Sequence, residues 1–150
     1  MASRLNSYSD GMGGTLLDSS LLAWGQENGD LVHETISMPV ITAGSAGGAI
    51  QTGSYCDYRN LAYRWGGDSG TGNESELIWT GLIYNQWLTT VMLAMGVPQA
   101  EWAETTHPGY GARVSLPDDF FLYSPGKPKT SDVYTDAMWQ KTGEILPFLV

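Results

Sequence analysis

Acidic and imidazole side chains are concentrated in one short segment of the sequence. Glu27, Asp30, His33 and Glu34 follow an apolar run that ends at Trp24. A short apolar run that leads into a polar loop is typical of a buried strand followed by an active-site or metal-binding loop. The sequence therefore indicates this segment as the first candidate for a functional site.

Two apolar stretches on either side of the segment are predicted as strands. Residues 15–24 show no helical period, and residues 38–44 are again short and apolar, with Pro39 tolerable only at the first position or on an edge. Such runs suit a mostly parallel sheet that is covered on both faces. Because ligands of open α/β sheets bind outside the carboxyl ends of strands, the polar loop falls where chemistry is expected.

One long helix is predicted over residues 77–95. Apolar side chains recur there at helical spacing, and Gly96 supplies a stop. Its Trp79, Tyr84 and Trp87 are expected to pack against the sheet. Apolar and aromatic side chains at helical spacing belong to a hydrophobic core more often than to a cofactor site.

Two shorter helices are predicted further along the chain. One begins at Pro98, a residue favoured in the first helical position, and includes Trp102. The other covers about 130–145, with Ser131 or Asp132 as its cap. The predicted fold is α/β, with a packed long helix and many loops.

Composition limits the classes of function that this chain can have. The 150 residues carry a net charge of -9, which argues against a nucleic acid or an anionic membrane as partner, since both need clustered Lys and Arg. No stretch is long and apolar enough to span a membrane, and no export signal is recognisable. The chain is expected to be a single domain or the carboxyl-terminal fragment of a larger one, with a loop-rich tail over 112–150 whose last five residues dock.

Three other segments have plausible but weaker chemical interpretations. The glycine-rich turn at 44–48 lacks the spacing of a phosphate-binding loop. Residues 66–76 offer oxygen atoms to calcium without the spacing of an EF-hand, and a solvated loop explains them better. Cys56 is best interpreted as a small buried hydrophobe.

A series of motifs resembles the carboxyl-terminal part of an uncharacterised bacterial family known as domain of unknown function 1552. The resemblance covers roughly residues 13–111, and the order of the motifs carries it. The motifs are Gly14-Thr15-Leu16-Leu17-Asp18-Ser19-Ser20-Leu21, Trp24-Gly25-Gln26-Glu27-Asn28-Gly29-Asp30, His33, Met38-Pro39-Val40, Ala43-Gly44, Gly47-Gly48, Thr52-Gly53, Tyr58, Tyr84-Asn85-Gln86, Ala94-Met95-Gly96 and Gly109-Tyr110-Gly111. The family is distantly similar to the alkaline-phosphatase and sulfatase fold, and its members often carry a twin-arginine export signal, which implies an extracytoplasmic location.

This resemblance implies metal-dependent hydrolysis of a phosphate or sulfate ester. Glu27 and His33 would then be ligands to zinc, manganese or iron, with Asp30 in reserve, and the nucleophile would lie in a portion absent from this chain. No motif of paired histidines completes the site. The alternative interpretation is that Glu27 and His33 are solvated or hydrogen-bonded groups without a metal.

A second class of function is a non-catalytic structural or binding module. Trp65, Trp102 and Tyr110 are expected to be exposed, so that they could stack on sugar rings or on a partner protein. Self-association is also expected, because the predicted strands would leave open sheet edges.

Overall fold

The computed structural model describes residues 1–26, 38–65, 78–113, 131 and 134–149. Within these ranges the chain combines helices and strands, which agrees with an α/β protein in the broad sense. The elements in chain order are α1 (Ala2–Leu5), β1 (Leu22–Gly25), β2 (Val40–Ala43), β3 (Arg59–Trp65), β4 (Ile78–Gly81), α2 (Tyr84–Ala94), a 3₁₀ helix (Gln99–Glu101) and α3 (Asp136–Lys141).

The described strands form two antiparallel pairs. β1 pairs with β2 and β3 pairs with β4. The expectation that the first two strands belong to a parallel arrangement is therefore wrong for this pair. The connection of 14 residues between Gly25 and Val40 is long enough for either direction, so its length did not decide the pairing.

The first strand is also much shorter than the predicted residues 15–24. The backbone N–H and hydroxyl of Thr15 both donate to the Asp18 carboxylate, at 2.7 and 2.8 Å, so a turn replaces the first half of the predicted strand. Local hydrogen bonds from such side chains compete with a sheet ladder. Pro39 lies just before β2, as its missing N–H requires.

The predicted helix over 77–95 is divided between two elements. Its first residues form β4, where Ile78, Trp79 and Thr80 have the β-branched and aromatic character that suits strands. The helix itself ends as predicted, because Met95 is its C-cap and Gly96 adopts a φ of 72°.

The two shorter helices are smaller than predicted. A single turn of 3₁₀ helix follows Pro98, and Trp102 is its C-cap. Helix α3 lies inside the predicted range 130–145, but Thr135 and not Ser131 caps it, accepting a hydrogen bond from the Met138 N–H at 3.3 Å. Asp132 lies outside the described residues.

The described core lies where α2, the chain after it and α3 meet. The buried apolar side chains are Ile50, Trp87, Trp102, Trp139 and Leu146. Trp87 is therefore buried as expected, whereas Tyr84 is 40% exposed, which corrects the expectation that it packs inside. Cys56, expected to be buried, is only partly so.

The end of the chain docks as predicted. Leu146 is buried, and the Leu149 carbonyl accepts a hydrogen bond from the Gln51 N–H at 2.8 Å. No helix in the described ranges has both the length and the apolar character needed to cross a membrane.

Candidate functional site

The β1–β2 hairpin carries large apolar side chains on its exposed side. Its cross-strand pairs are Leu22 with Ala43, Ala23 with Thr42, Trp24 with Ile41 and Gly25 with Val40. Trp24 and Ile41 thus lie directly opposite each other and point to the same side of the sheet. They are 56% and 62% exposed, respectively. We call this pair the hairpin face.

A second set of hydrogen bonds holds the base of this hairpin in place. The turn after β2 docks on residues 17–20: the Ala46 and Gly47 N–H groups donate to the carbonyls of Ser20 and Asp18, at 3.0 and 2.8 Å. Gly44, with a φ of 90°, leaves no room for a side chain against the Ser20 carbonyl. The N–H groups that a phosphate would need are thus already used within the glycine-rich turn. The hairpin is held at its base while its face stays open.

Two carboxylates lie beside each other next to this base. Asp10 accepts the Met12 and Gly14 N–H groups at 2.7 and 3.0 Å, and the hydrogen bonds from Thr15 lower the pKa of Asp18. A Cβ placed on Gly14 would lie 3.0 Å from Asp10 Oδ2 and 3.1 Å from Asp18 Oδ2. The ion pairs seen in the described ranges, Asp57 with Arg59 and Asp136 with Arg113, include neither of them.

The residues that the sequence singles out as metal ligands lie outside the described residues. These are Glu27, Asp30 and His33. Their position in the chain is nonetheless informative, because they belong to the segment that joins β1 to β2. Gly25 and Val40 are paired, so this segment begins and ends at neighbouring points.

The aromatic residues that the sequence predicts to be exposed have different surroundings. Trp102 is only 7% exposed and its indole N–H donates to the Val97 carbonyl at 3.1 Å, so its expected exposure is wrong. Tyr110 is 39% exposed, and its ring meets the Trp102 ring edge-on with 6.3 Å between centroids. The side chain of Trp65 lies outside the described part. Tyr110 therefore lies at the edge of the core, where its ring contacts a buried tryptophan.

The other histidine, His107, is part of the core and only 3% exposed. Its Nδ1 lies 3.0 Å from Thr142 Oγ1 and accepts the Gly109 N–H at 3.1 Å. Its ring packs at a tilt on Trp139, with 5.0 Å between centroids. Nε2 is buried and has no hydrogen-bond partner among the described groups. His107 is therefore a packing residue here, with one ring nitrogen occupied.

An open groove of about 370 Å³ lies between the start of β3 and helix α3. Arg59 enters it with its guanidinium held by Asp57 through two contacts, at 2.9 and 2.6 Å. These bonds lower the pKa of the Asp57 carboxyl to about 2. Because Arg59 is already paired, its charge is balanced within the groove.

Of all these features, the hairpin face is the one that sequence reasoning missed. Its signal was present in the first strand, where Leu22 and Trp24 alternate with the smaller residues Ala23 and Gly25. Within the described ranges, no group of three or more His, Cys, Asp or Glu side chains lies close enough to hold a metal ion. Comparison of the chain with protein-family models, with curated proteins and with solved structures gave no match.

Proposed function

We propose that this chain is a partner-binding module and that its contact surface is the hairpin face. The observation that carries the proposal is the directly opposed pair Trp24 and Ile41, each more than half exposed. Exposed apolar side chains scattered singly are ordinary, but an adjacent aromatic and β-branched pair forms a continuous patch. Tryptophan is also among the residues that contribute most to protein interfaces.

The architecture of the hairpin supports the same proposal. A two-stranded sheet is marginal on its own in water. This one is fixed through its base, and Ala23, Trp24, Gly25 and Ile41 are its exposed residues. Each strand also has a sheet neighbour on one side only in the described ranges. A partner that covered the face would bury apolar area and could extend the sheet at an edge.

Site-specific photocrosslinking tests this proposal. A photoreactive phenylalanine analogue is placed at Ile41 and, as the control, at Tyr55, which is 89% exposed elsewhere in the chain. We expect a discrete crosslinked species in cells that produce the protein from position 41, and its loss when Trp24→Ser is added. The same adducts from both positions, or none from position 41, would contradict the proposal.

A second candidate is metal-dependent hydrolysis of phosphate or sulfate esters, as the family resemblance implies. It is favoured by the pairing of Gly25 with Val40, which holds together the two ends of the segment that carries Glu27, Asp30 and His33. Two carboxylates and an imidazole are a donor set that fits zinc, manganese or iron. When bound, such an ion polarises the ester oxygen. This candidate also includes two further proposals. The chain would be part of a larger, mostly parallel alkaline-phosphatase-like domain, and that domain would be extracytoplasmic.

Metal analysis of purified variants tests the second candidate. Glu27→Gln and His33→Ala should each weaken metal binding by about 10- to 100-fold if they are ligands. Glu144→Gln, at an exposed position in the tail, is the charge-matched control. Equal metal content in Glu27→Gln, His33→Ala and the parent would remove this candidate.

A further inference from the structure

Basic residues are distributed unevenly along this chain. Between Arg4 and Arg59 the sequence contains no Lys or Arg, and the β1–β2 hairpin lies within this stretch. The acidic residues of the same stretch are Asp10, Asp18, Glu27, Asp30, Glu34 and Asp57. The exposed apolar pair therefore belongs to a part of the chain whose fixed charges all have one sign.

Two acidic residues adjoin the base of the hairpin. Asp10 Oδ2 and Asp18 Oδ2 converge on Gly14, and the Asp18 atom is the one that accepts the hydrogen bonds from Thr15. A four-residue strand is roughly 10 Å long, at about 3.4 Å per residue. That length is comparable to the screening length of about 8–10 Å at physiological salt, so the fields of these charges reach the face.

The two carboxylates at the base accept hydrogen bonds from the chain around them. Backbone N–H groups satisfy one oxygen of Asp10, and Thr15 satisfies one oxygen of Asp18. Neither residue takes part in the ion pairs seen in the described ranges. Their charge is thus available to a partner.

We propose that the hairpin face receives a protein segment in which apolar side chains alternate with Lys or Arg, an inference that rests on the partner-binding function proposed above. The apolar residues of that segment cover Trp24 and Ile41, and its cations meet the surrounding carboxylates. Charge complementarity of this kind raises the association rate and excludes wrong partners. It also disfavours a second copy as the occupant, because two chains of net charge -9 repel each other.

The effect of salt distinguishes these two occupants. A cationic segment is bound less tightly as salt screens the attraction, whereas self-association becomes stronger as salt screens the repulsion between copies. The sign of the salt dependence therefore identifies which kind of partner the face accepts.

Fluorescence anisotropy with two synthetic peptides is the test. One peptide alternates Lys with Val, and the other, matched in length, alternates Glu with Val. We expect the Lys peptide to bind at least about 10-fold more tightly than the Glu peptide, and to lose about 3- to 10-fold in affinity between about 50 and about 300 mM salt.

Two sets of variants separate the apolar and the charged contributions. Trp24→Ser, or Ile41→Thr if the first variant fails to fold, should abolish saturable binding of the Lys peptide. Asp10→Asn combined with Asp18→Asn keeps oxygen acceptors in place and should weaken binding by about 3- to 5-fold. The control combines Glu101→Gln with Glu144→Gln, which removes the same charge at exposed positions elsewhere and should leave binding within about twofold of the parent.

Each contrary result has a separate meaning. If both peptides bind equally and Trp24→Ser removes both, the partner-binding function stands and the cationic partner is wrong. If the Lys peptide binds regardless of Trp24 and Ile41, or if neither peptide binds, both proposals fail. Self-association that increases with salt and requires Trp24 would make a second copy the occupant and overturn the cationic partner.

Discussion

The β1–β2 hairpin and the helical core of this protein differ in which side chains they bury. In the core, Thr89 and Thr90 are completely buried, and each hydroxyl accepts a backbone N–H, from Tyr110 at 3.0 Å and from Leu146 at 2.9 Å. In the hairpin, Trp24 and Ile41 are more than half exposed. The core thus pairs these two buried hydroxyls with backbone N–H groups, whereas the hairpin leaves apolar area uncovered. This difference is what the proposed partner-binding role of the hairpin would require.

The largest expected effect on stability comes from a methyl group added where the core is tightest. A Cβ on Gly109 would collide with the Thr142 side chain, which also contacts His107. We expect Gly109→Ala to lower the free energy of unfolding by about 2–3 kcal/mol. Urea denaturation followed by circular dichroism measures it.

The matched control for this change lies in the hairpin. A Cβ on Gly25 would meet the Pro39 carbonyl oxygen at 3.6 Å and Val40 Cγ2 at 4.0 Å, both ordinary contact distances. Gly25→Ala should change the free energy of unfolding by less than about 1 kcal/mol. Equal losses in the two variants would show that the core is no more closely packed than the hairpin.

A smaller loss is expected when one buried hydroxyl of the core is removed. Thr90→Val keeps the shape of the side chain but leaves the Leu146 N–H without its acceptor, and we expect a loss of about 1–2 kcal/mol. Urea denaturation of this variant measures the loss. Thr80→Val, in β4, makes the same chemical change at another position and is measured beside it as the reference. A value for Thr90→Val near zero would mean that the hydrogen bond to Leu146 contributes nothing net.

Changes to the hairpin face should affect stability least. Ile41→Thr keeps a β-branched residue in the strand and removes exposed apolar area, so the free energy of unfolding should change by less than about 0.5 kcal/mol. The same urea titration applies. A loss above about 1 kcal/mol would show that Ile41 stabilises the fold, and the contrast between the two regions would then disappear.

A fourth prediction concerns the dependence of stability on pH in the acid range. The folded-state pKa of Asp57 lies below its ordinary value of 3.8, at about 2, because Arg59 donates to it. Its contribution to stability is therefore fully present above about pH 4 and is lost as pH falls through about 2. Carboxyl-carbon NMR should show an inflection near pH 2 that rises toward 3.8 in Arg59→Gln, which removes the guanidinium but keeps the backbone N–H donor of residue 59. An unchanged inflection in the variant would show that the bond to Arg59 is not the cause.

The parts of the fold that follow from local signals could be predicted from the sequence. Gly96 ends α2 as expected, and the two apolar stretches do contain strands. Strand direction could not be predicted, because pairing depends on how the chain returns between Gly25 and Val40 and not on the composition of either strand. The division of residues 77–95 was also missed, since β4 is fixed by its pairing with β3.

The candidate site was predictable only in part. The acidic loop was correctly placed after a strand, but Glu27, Asp30 and His33 lie outside the described residues, and their role stays a prediction. The hairpin face was overlooked because apolar runs were assumed to be buried. Trp102 is held by the Val97 carbonyl and the Tyr110 ring, five and eight residues away, at spacings that neither helical nor strand periodicity predicts.

The most direct measurement follows two indole N–H signals by NMR while the Lys–Val peptide is added. The Trp24 side chain is 56% exposed on the hairpin face, whereas the Trp102 indole is buried and donates to the Val97 carbonyl. With the proposed contact surface on the hairpin face, the Trp24 signal should shift saturably while the Trp102 signal stays in place. A bound peptide that leaves the Trp24 signal unmoved, or that shifts both signals alike, would contradict the assignment of the hairpin face as the partner-binding surface.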